Sequence, residues 1–152
     1  MSNTIIIWTK VEDNTISITQ ILDDTIDVEA HTQQLIADNP NLVYRFTTTT
    51  EECPIGYDFF FDALTVDANN QLAYDMTKAR ELWREALRKA RIPLLEKLDV
   101  DYQRADENND AALKAQIVLK KNILRNCPTD PAIDAAQDLN DLRRSLPEML
   151  AD

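Results

Sequence analysis

The chain has 152 residues, of which 44% are hydrophobic and 28% are charged, and its formal net charge at pH 7 is −11. A chain of about 150 residues buries roughly 70% of its unfolded surface, so a core can form without disulfides. Gly56 is the one glycine, which excludes a glycine-rich phosphate loop, and no apolar run approaches the ~18 residues of a membrane span. The opening MSNTIIIWTK also lacks the basic segment of a signal peptide.

The negative charge lies in the N-terminal half of the chain. Residues 1–75 contain 13 Asp and Glu against 2 Lys and Arg, a net charge of −11, whereas residues 76–152 contain 14 of each kind. We expect the acidic half to repel nucleic acid and anionic membrane and to attract basic protein surfaces. The alternative is that this charge is solvated and keeps the chain soluble.

The first segments predict a β-hairpin followed by a helix. TIIIWTKV and NTISITQIL are rich in β-branched residues, and a turn at Glu12-Asp13-Asn14 separates them. The spacing then becomes helical, with Asp27 as a possible N-cap and Pro40 as the end. With one glycine in the chain, tight turns must use Asn and Asp.

Strand character returns after this helix. LVYRFTTTT predicts a strand, and residues 57–75 predict a further strand pair around the turn-rich Asp67-Ala68-Asn69-Asn70. We therefore expect residues 1–73 to form a small acidic α/β module, with a sheet of three to five strands and one helix against it.

Residues 74–152 predict a helical hairpin module, which makes the whole chain α+β. A long helix follows Tyr74, because its apolar residues recur at steps of three and four. Pro93 costs about 3 kcal/mol inside a helix, but the stripe passes through it in phase. This favours one kinked helix, bent around the sheet or a partner, over a second helix that begins at Pro93. The stripe consists of Ala79, Trp83, Leu87, Ala90, Leu94, Leu98, Tyr102 and Ala105.

A second helix is expected over residues 111–126, after a turn at residues 108–110. A short loop implies an antiparallel hairpin, with Leu113, Ile117 (together with Val118), the Lys120 and Lys121 stems and Leu124 on the inner side. Cys127-Pro128 should end this helix. One or two short helices follow, capped at Asp130 and Asp138.

The sequence offers little that resembles a catalytic or metal centre. His31 has no local nucleophile or carboxylate partner, and Cys53 lacks the basic neighbours that activate a thiol. Asp99 and Asp101 stand two apart on a helix, so they point in different directions. Cys53 and Cys127 have no metal-binding spacing, and a bridge between them stays open beside two free thiols. We expect no enzyme activity, no metal and no cofactor.

Large aromatic and aliphatic side chains are the candidate partner-binding residues. If Phe59, Phe60 and Phe61 lie on a strand, two rings face one way and one faces the other. One face can enter the core, and the other is covered by a helix or meets a partner. Trp83 packs in the core or anchors a partner, since Trp is favoured at binding hot spots. The remaining candidates, on the same helical stripe, are Leu87, Leu94, Leu98 and Tyr102.

The helical half resembles a known family. Its pattern is an Arg-rich helical turn, a leucine pair with an aspartate, a second helix that ends in Leu-Arg before a proline, and a closing proline. The matching residues here are Arg84, Arg88, Arg91, Leu94, Leu95, Asp99, Leu124, Arg125, Pro128 and Pro147. This half is similar to the family of bacteriophage tail assembly chaperones and tail-fibre assembly proteins, although Leu146 stands where the family usually has an aromatic residue.

The resemblance implies a non-enzymatic protein that binds a phage tail, tail-fibre or baseplate protein. It would act as an assembly chaperone in the host cytoplasm or as a permanent adaptor in the virion tail, with homo-oligomers as an open alternative. The charge distribution suggests a second hypothesis, an acidic decoy or inhibitor that binds a basic surface of a host protein. We expect no binding to nucleic acid or membrane.

Overall fold

The computed structural model of the protein describes residues 3–52 and 60–151. The chain divides into two compact units, Met1–Asp75 and Met76–Asp152. The expected α+β fold is confirmed, with a small antiparallel sheet and a helix followed by a long helix and further helices. The elements are β1 (Thr4–Lys10), β2 (Ile16–Ile21), α1 (Val28–Asp38), β3 (Leu42–Thr49), β4 (Leu64–Val66), β5 (Leu72–Tyr74), α2 (Met76–Glu107), α3 (Ala111–Asn126), α4 (Pro131–Ala135) and α5 (Leu139–Arg144), with short 3₁₀ helices at Phe61–Ala63, Cys127–Thr129 and Glu148–Leu150.

The first unit is built around β1, which lies between β2 and β3 in an antiparallel sheet. Successive side chains of a strand point to opposite faces, and both faces of β1 are buried. Ile5 and Ile7 pack towards Leu64 of the β4–β5 hairpin, and Ile6 and Trp8 pack towards α1. The apolar run at the start of the chain is therefore the centre of this unit's core.

The turns of the described chain use asparagine where the backbone enters the left-handed region. Asn14, Asn70 and Asn109 have φ values of 58°, 61° and 53°. Asn tolerates this conformation better than most residues, because its short side chain can bond locally. These residues lie at the β1–β2 turn, the β4–β5 turn and the α2–α3 turn, so the prediction that Asn takes over the role of glycine is confirmed.

The predicted strand at Phe59–Phe61 is wrong for the residues that the structure describes. Phe60 lies in a turn and Phe61 opens the 3₁₀ helix, while Phe59 lies outside the described residues. Phe60 is buried, and Phe61 packs against the cluster of Ile5, Ile7 and Leu64. Bulky aromatic side chains favour strands, but here they fill the core from a compact turn.

The second unit is a helical hairpin followed by two short helices. Helix α2 runs unbroken through Pro93, which confirms the single helix, and α3 has the predicted bounds. The Oδ1 atoms of Asp110, Asp130 and Asp138 accept backbone N–H bonds of 2.8 to 2.9 Å at the starts of α3, α4 and α5. Such caps satisfy the free amides of a first helical turn, so these three predicted starts are confirmed.

Candidate protein-binding surface

The predicted apolar stripe of α2 forms the seam of the hairpin. Leu87 is fully buried, and Leu94 and Leu98 are half-buried. Leu98 lines a cavity of about 300 Å³ together with Leu113 and Ile117 of α3. Most of this stripe therefore stabilises the hairpin itself, and only its partly exposed members are accessible to another protein.

Trp83 fastens α5 to α2. Its indole Nε1 donates a 2.8 Å hydrogen bond to Ser145 Oγ, and this hydroxyl donates a 2.6 Å bond to the Leu142 carbonyl. Leu142 is fully buried, whereas Trp83 is half-buried. The indole therefore has a structural task in the monomer, and part of its ring remains accessible.

Tyr102 lies under two lysine side chains near the turn of the hairpin. Lys121 Nζ and Lys114 Nζ lie 5.7 and 6.0 Å from the ring centroid, within the range of a cation–π contact. Lys121 also pairs with Asp99, and Lys114 binds Asp106 Oδ1 at 2.6 Å. The Asp106 hydrogen bond raises the pKa of Lys114. A charged frame therefore surrounds Tyr102, which makes it a poor apolar anchor.

The candidate residues chosen from the sequence are divided between the two units. Phe60 and Phe61 lie in the first unit, where Phe60 is buried and Phe61 packs against the cluster of Ile5, Ile7 and Leu64. Trp83 and the leucines lie in the second unit. Phe59 lies outside the described residues.

A different apolar surface lies on α3. Leu119 is 65% exposed and Ile123 is 54% exposed, one helical turn apart. Ala112 and Ala115 are also exposed, and steps of three and four place them on the same side of the helix. We call Ala112, Ala115, Leu119 and Ile123 the α3 outer row.

The outer row leads into a groove at the C-terminal end of α3, which we call the C-terminal groove. Its volume is about 530 Å³, and Ile123 belongs to both features. The groove is lined by Ile123, Asn126, Cys127, Thr129, Asp130, Pro131, Ala132, Arg144, Ser145, Leu146 and Pro147. The row and the groove therefore adjoin at Ile123.

The charged groups of the groove lining, Arg144 and Asp130, have partners within the chain. Arg144 Nη1 lies 2.8 Å from Asp141 Oδ1, and Asp130 caps α4. Burial raises the pKa of the Cys127 thiol, which donates a hydrogen bond to the Leu124 carbonyl. The thiol is therefore protonated at neutral pH, and nucleophilic chemistry needs the thiolate. Apolar contact is the interaction that this groove can best offer.

Ion pairs and side-chain bonds to the backbone connect α2 with α4 and with the end of α3, two of the helices that contribute to the groove. Arg84 binds Asp134 of α4 and, at 2.5 Å, Glu81 of its own helix. Partial burial acts to lower the pKa of Arg84, but these two carboxylates outweigh it and raise the pKa. Arg91 Nη1 donates to the Arg125 carbonyl at 2.7 Å, at the end of α3 where positive charge is favoured.

Comparisons with protein-family models, curated proteins and solved structures find no match for this chain. In the described ranges, 3–52 and 60–151, no cluster of His, Cys, Asp and Glu could hold a metal ion. None of the helices that the structure describes is long and apolar enough to cross a membrane.

The α3 outer row escaped the sequence analysis because α3 contains more apolar residues than one buried face requires. Ile117 and Leu124 are buried as expected, whereas Leu113 and Val118, expected on the same inner side, are 42% and 41% exposed. Leu119 and Ile123 repeat four apart on another side. The spacing of Leu119 and Ile123 is the feature of the sequence that could have indicated a second apolar side of α3. Its exposure depends on what the rest of the unit covers, which helical spacing does not reveal.

Proposed function

We propose that this protein is a non-enzymatic binding protein that holds another polypeptide against the α3 outer row and the C-terminal groove. The observation that supports this most is the exposure of Leu119 and Ile123, because Ile123 also lines the C-terminal groove. Contiguous exposed apolar side chains on a folded chain are typical of interaction sites. The internally paired charges of the groove leave apolar complementarity as the main source of affinity.

The affinity available from this surface is substantial. Full burial of a leucine or isoleucine side chain contributes about 1.5 to 3 kcal/mol. More than half of Leu119 and of Ile123 is exposed, so covering them would contribute about 1 to 2 kcal/mol each. A contribution of about 1.4 kcal/mol changes a dissociation constant tenfold, so these two residues can dominate a moderate affinity.

The proposed partner is a bacteriophage tail, tail-fibre or baseplate protein, because the helical half resembles tail assembly chaperones and tail-fibre assembly proteins. As a chaperone, the protein would act in the host cytoplasm and be missing from finished particles. As an adaptor, it would remain in the virion tail at fixed stoichiometry. Mass spectrometry of purified particles and of the infected lysate distinguishes these roles.

The surface is tested by replacing Leu119 and Ile123 together with aspartate in the full chain. Each tail and tail-fibre protein encoded by the genome that encodes this chain is co-expressed with the wild-type or the variant chain. The amount of each that co-purifies with the chain is measured. Val118 is 41% exposed and, at about 100° per residue, points about 100° away from Leu119 and further away from Ile123, so Val118→Asp is the matched control for these two positions. We expect the double variant to keep its helical circular dichroism and lose the partner, while the control retains it. Equal co-purification of the double variant, or no partner among these proteins, would refute the proposal.

A second candidate function rests on the net charge of −11 in residues 1–75. An acidic decoy or inhibitor would use this half to cover a basic surface of a host protein. Such binding weakens steeply as salt is added, whereas apolar binding changes little. Measuring affinity across a salt series therefore separates the two functions.

A further inference from the structure

The sheet of the first unit has an edge at β3. The strand order is β2–β1–β3, and among the described residues only β1 pairs with β3. An edge strand presents unpaired N–H and C=O groups that can accept another strand. Proteins often block such edges with charged side chains or proline. The sequence of β3, LVYRFTTT, has one charged residue and no proline.

The register of the β1–β3 ladder shows which groups point outwards. Bonds from the Val11 N–H to the Asn41 carbonyl and from the Thr50 N–H to the Asn3 carbonyl, both 2.9 Å, fix its phase. Alternate residues of an antiparallel strand bond to the same neighbour. The backbone groups of Thr47 and Thr49 therefore point away from β1, spaced as a new strand requires.

A bulge interrupts this edge at Arg45. The register shifts between Ile7 and Trp8, so Arg45 is the additional residue of β3. Its Nε donates to Thr9 Oγ1 at 2.8 Å, and its carbonyl accepts a 3.0 Å bond from Asn70 Nδ2. Pairing is therefore confined to the Thr47–Thr49 side of the bulge. The one cation of β3 is directed at Thr9 in its own sheet.

A groove runs beside the same edge, between α1 and β3. Its volume is about 430 Å³, and we call it the α1–β3 groove. Its apolar lining includes Ile36 and Tyr44, both partly exposed, and Thr47 reaches it from the strand edge. Side chains of a strand alternate between faces, so every second residue of a strand added at β3 would point into this groove. The complete lining is Val28, Glu29, Thr32, Gln33, Ile36, Tyr44 and Thr47.

The negative charge around the β3 edge favours a positively charged binding partner. Glu29 is the charged residue of the groove lining, and the Asn70 bond brings the β4–β5 turn, with Asp67, towards β3. Glu52 lies beyond the C-terminal end of β3, within 3.4 Å of Thr48 Oγ1. Residues 1–75 have a net charge of −11, so the long-range field has the same sign.

We propose that the β3 edge and the α1–β3 groove bind an extended, basic segment of another protein as an added strand. Backbone hydrogen bonds to Thr47 and Thr49 supply register, and alternate apolar side chains of the segment enter the groove. Strand addition at a sheet edge obtains affinity from the main chain and specificity from side-chain pockets. This site lies in the other unit from the α3 outer row, so it is a second function and does not depend on the first.

The test uses an acetylated and amidated octapeptide of alternating lysine and valine, which is long enough to pair with Thr47–Thr49 and to continue along the α1–β3 groove. Binding to the ¹⁵N-labelled full chain is followed by amide shifts in NMR spectra. We expect saturable shifts at residues 44–49 and at Ile36, and weaker binding as salt is added. The same peptide with glutamate for lysine, and one N-methylated at alternate amides, should not bind.

Two proline variants locate the site. Thr47→Pro removes an outward N–H but no bond to β1, and proline is tolerated on edge strands. We expect it to weaken peptide binding more than about tenfold. Gln20→Pro is the matched control on β2, because the 2.9 Å bond from the Lys10 N–H to the Thr15 carbonyl sets a phase in which Gln20 also points outwards. It should change the affinity less than about twofold.

Several results would overturn this proposal. They are unchanged affinity in Thr47→Pro, equal binding of the glutamate peptide, and no saturable binding at millimolar peptide. Self-association that Thr47→Pro abolishes, measured by sedimentation, would make a second copy of the chain the occupant and would also overturn it. The Leu119 and Ile123 aspartate variant should bind the peptide normally, so failure of one site leaves the other unaffected.

Discussion

A matched pair of leucine substitutions on α3 tests the assignment of its buried and exposed sides. Leu124 has 0% exposure, whereas Leu119 is 65% exposed, and the same helix holds both. Changing leucine to alanine removes three carbon atoms, which is worth about 2.5 kcal/mol of transfer free energy at a buried site. The cavity that remains raises the expected loss for Leu124→Ala to about 3 to 4 kcal/mol.

For Leu119→Ala the expected loss is below about 1 kcal/mol, because about a third of the residue is covered and alanine is the better helix former. Urea unfolding of both variants, followed by circular dichroism at 222 nm as is usual for helices, gives the two free energies of unfolding. Similar losses at the two positions, or a larger loss at Leu119, would refute the assignment of the outer row and with it the proposed binding surface.

Three further predictions follow from contacts in the two units. Trp83→Phe and Ser145→Ala should each lower the free energy of unfolding by about 1 kcal/mol. Their double variant should cost less than the sum, because each change removes the same 2.8 Å hydrogen bond, although Ser145→Ala also removes the bond to the Leu142 carbonyl; additive losses in urea unfolding would contradict the bond. Asn109→Ala should cost about 1 kcal/mol while Asn109→Gly costs nothing, since φ is 53° there; equal melting temperatures would refute the strain. Hydrogen bonds from the side chain and then the backbone N–H of Thr25 lower the pKa of Asp23, so Thr25→Ala should raise that pKa in a carboxyl NMR titration. A carboxyl group whose pKa is lower in the folded than in the unfolded state stabilises the fold at pH values above its unfolded pKa, and this contribution is lost as the pH falls through the folded pKa. The stability deficit of Thr25→Ala should therefore shrink as the pH falls through the folded pKa of Asp23.

Local features of the fold could be predicted from the sequence. Helix starts at Asp27, Asp110, Asp130 and Asp138 depend on a side chain that bonds an amide two or three residues away. Neighbouring residues decide such contacts, so the sequence alone reveals them. The unbroken helix through Pro93 was predictable for a similar reason, because the phase of the apolar stripe is a local property.

Properties that depend on distant packing could not be predicted. Phe60 and Phe61 have strand-like sequence neighbours, but Phe60 is buried in a turn and Phe61 packs against the core around Ile7 and Leu64 from a 3₁₀ helix. The exposure of Leu119 is also non-local, because it depends on which sides of α3 the other helices leave uncovered. Helical spacing therefore predicts the seam of the hairpin but not the exposure of the α3 outer row.

The position of β1 between its two neighbours has a consequence for how the chain acquires its structure. Thr4 pairs with Ile21 in β2 and with Thr49 in β3, so the second ladder closes a much longer loop than the first. High contact order slows folding, because loop entropy must be lost before distant contacts form. During synthesis, the Ile5–Trp8 segment therefore cannot pair with β3 until residues 42–49 have emerged from the ribosome. In that interval one backbone edge of a strongly apolar strand is open to pairing with other chains, so we expect the nascent first unit to be prone to aggregation.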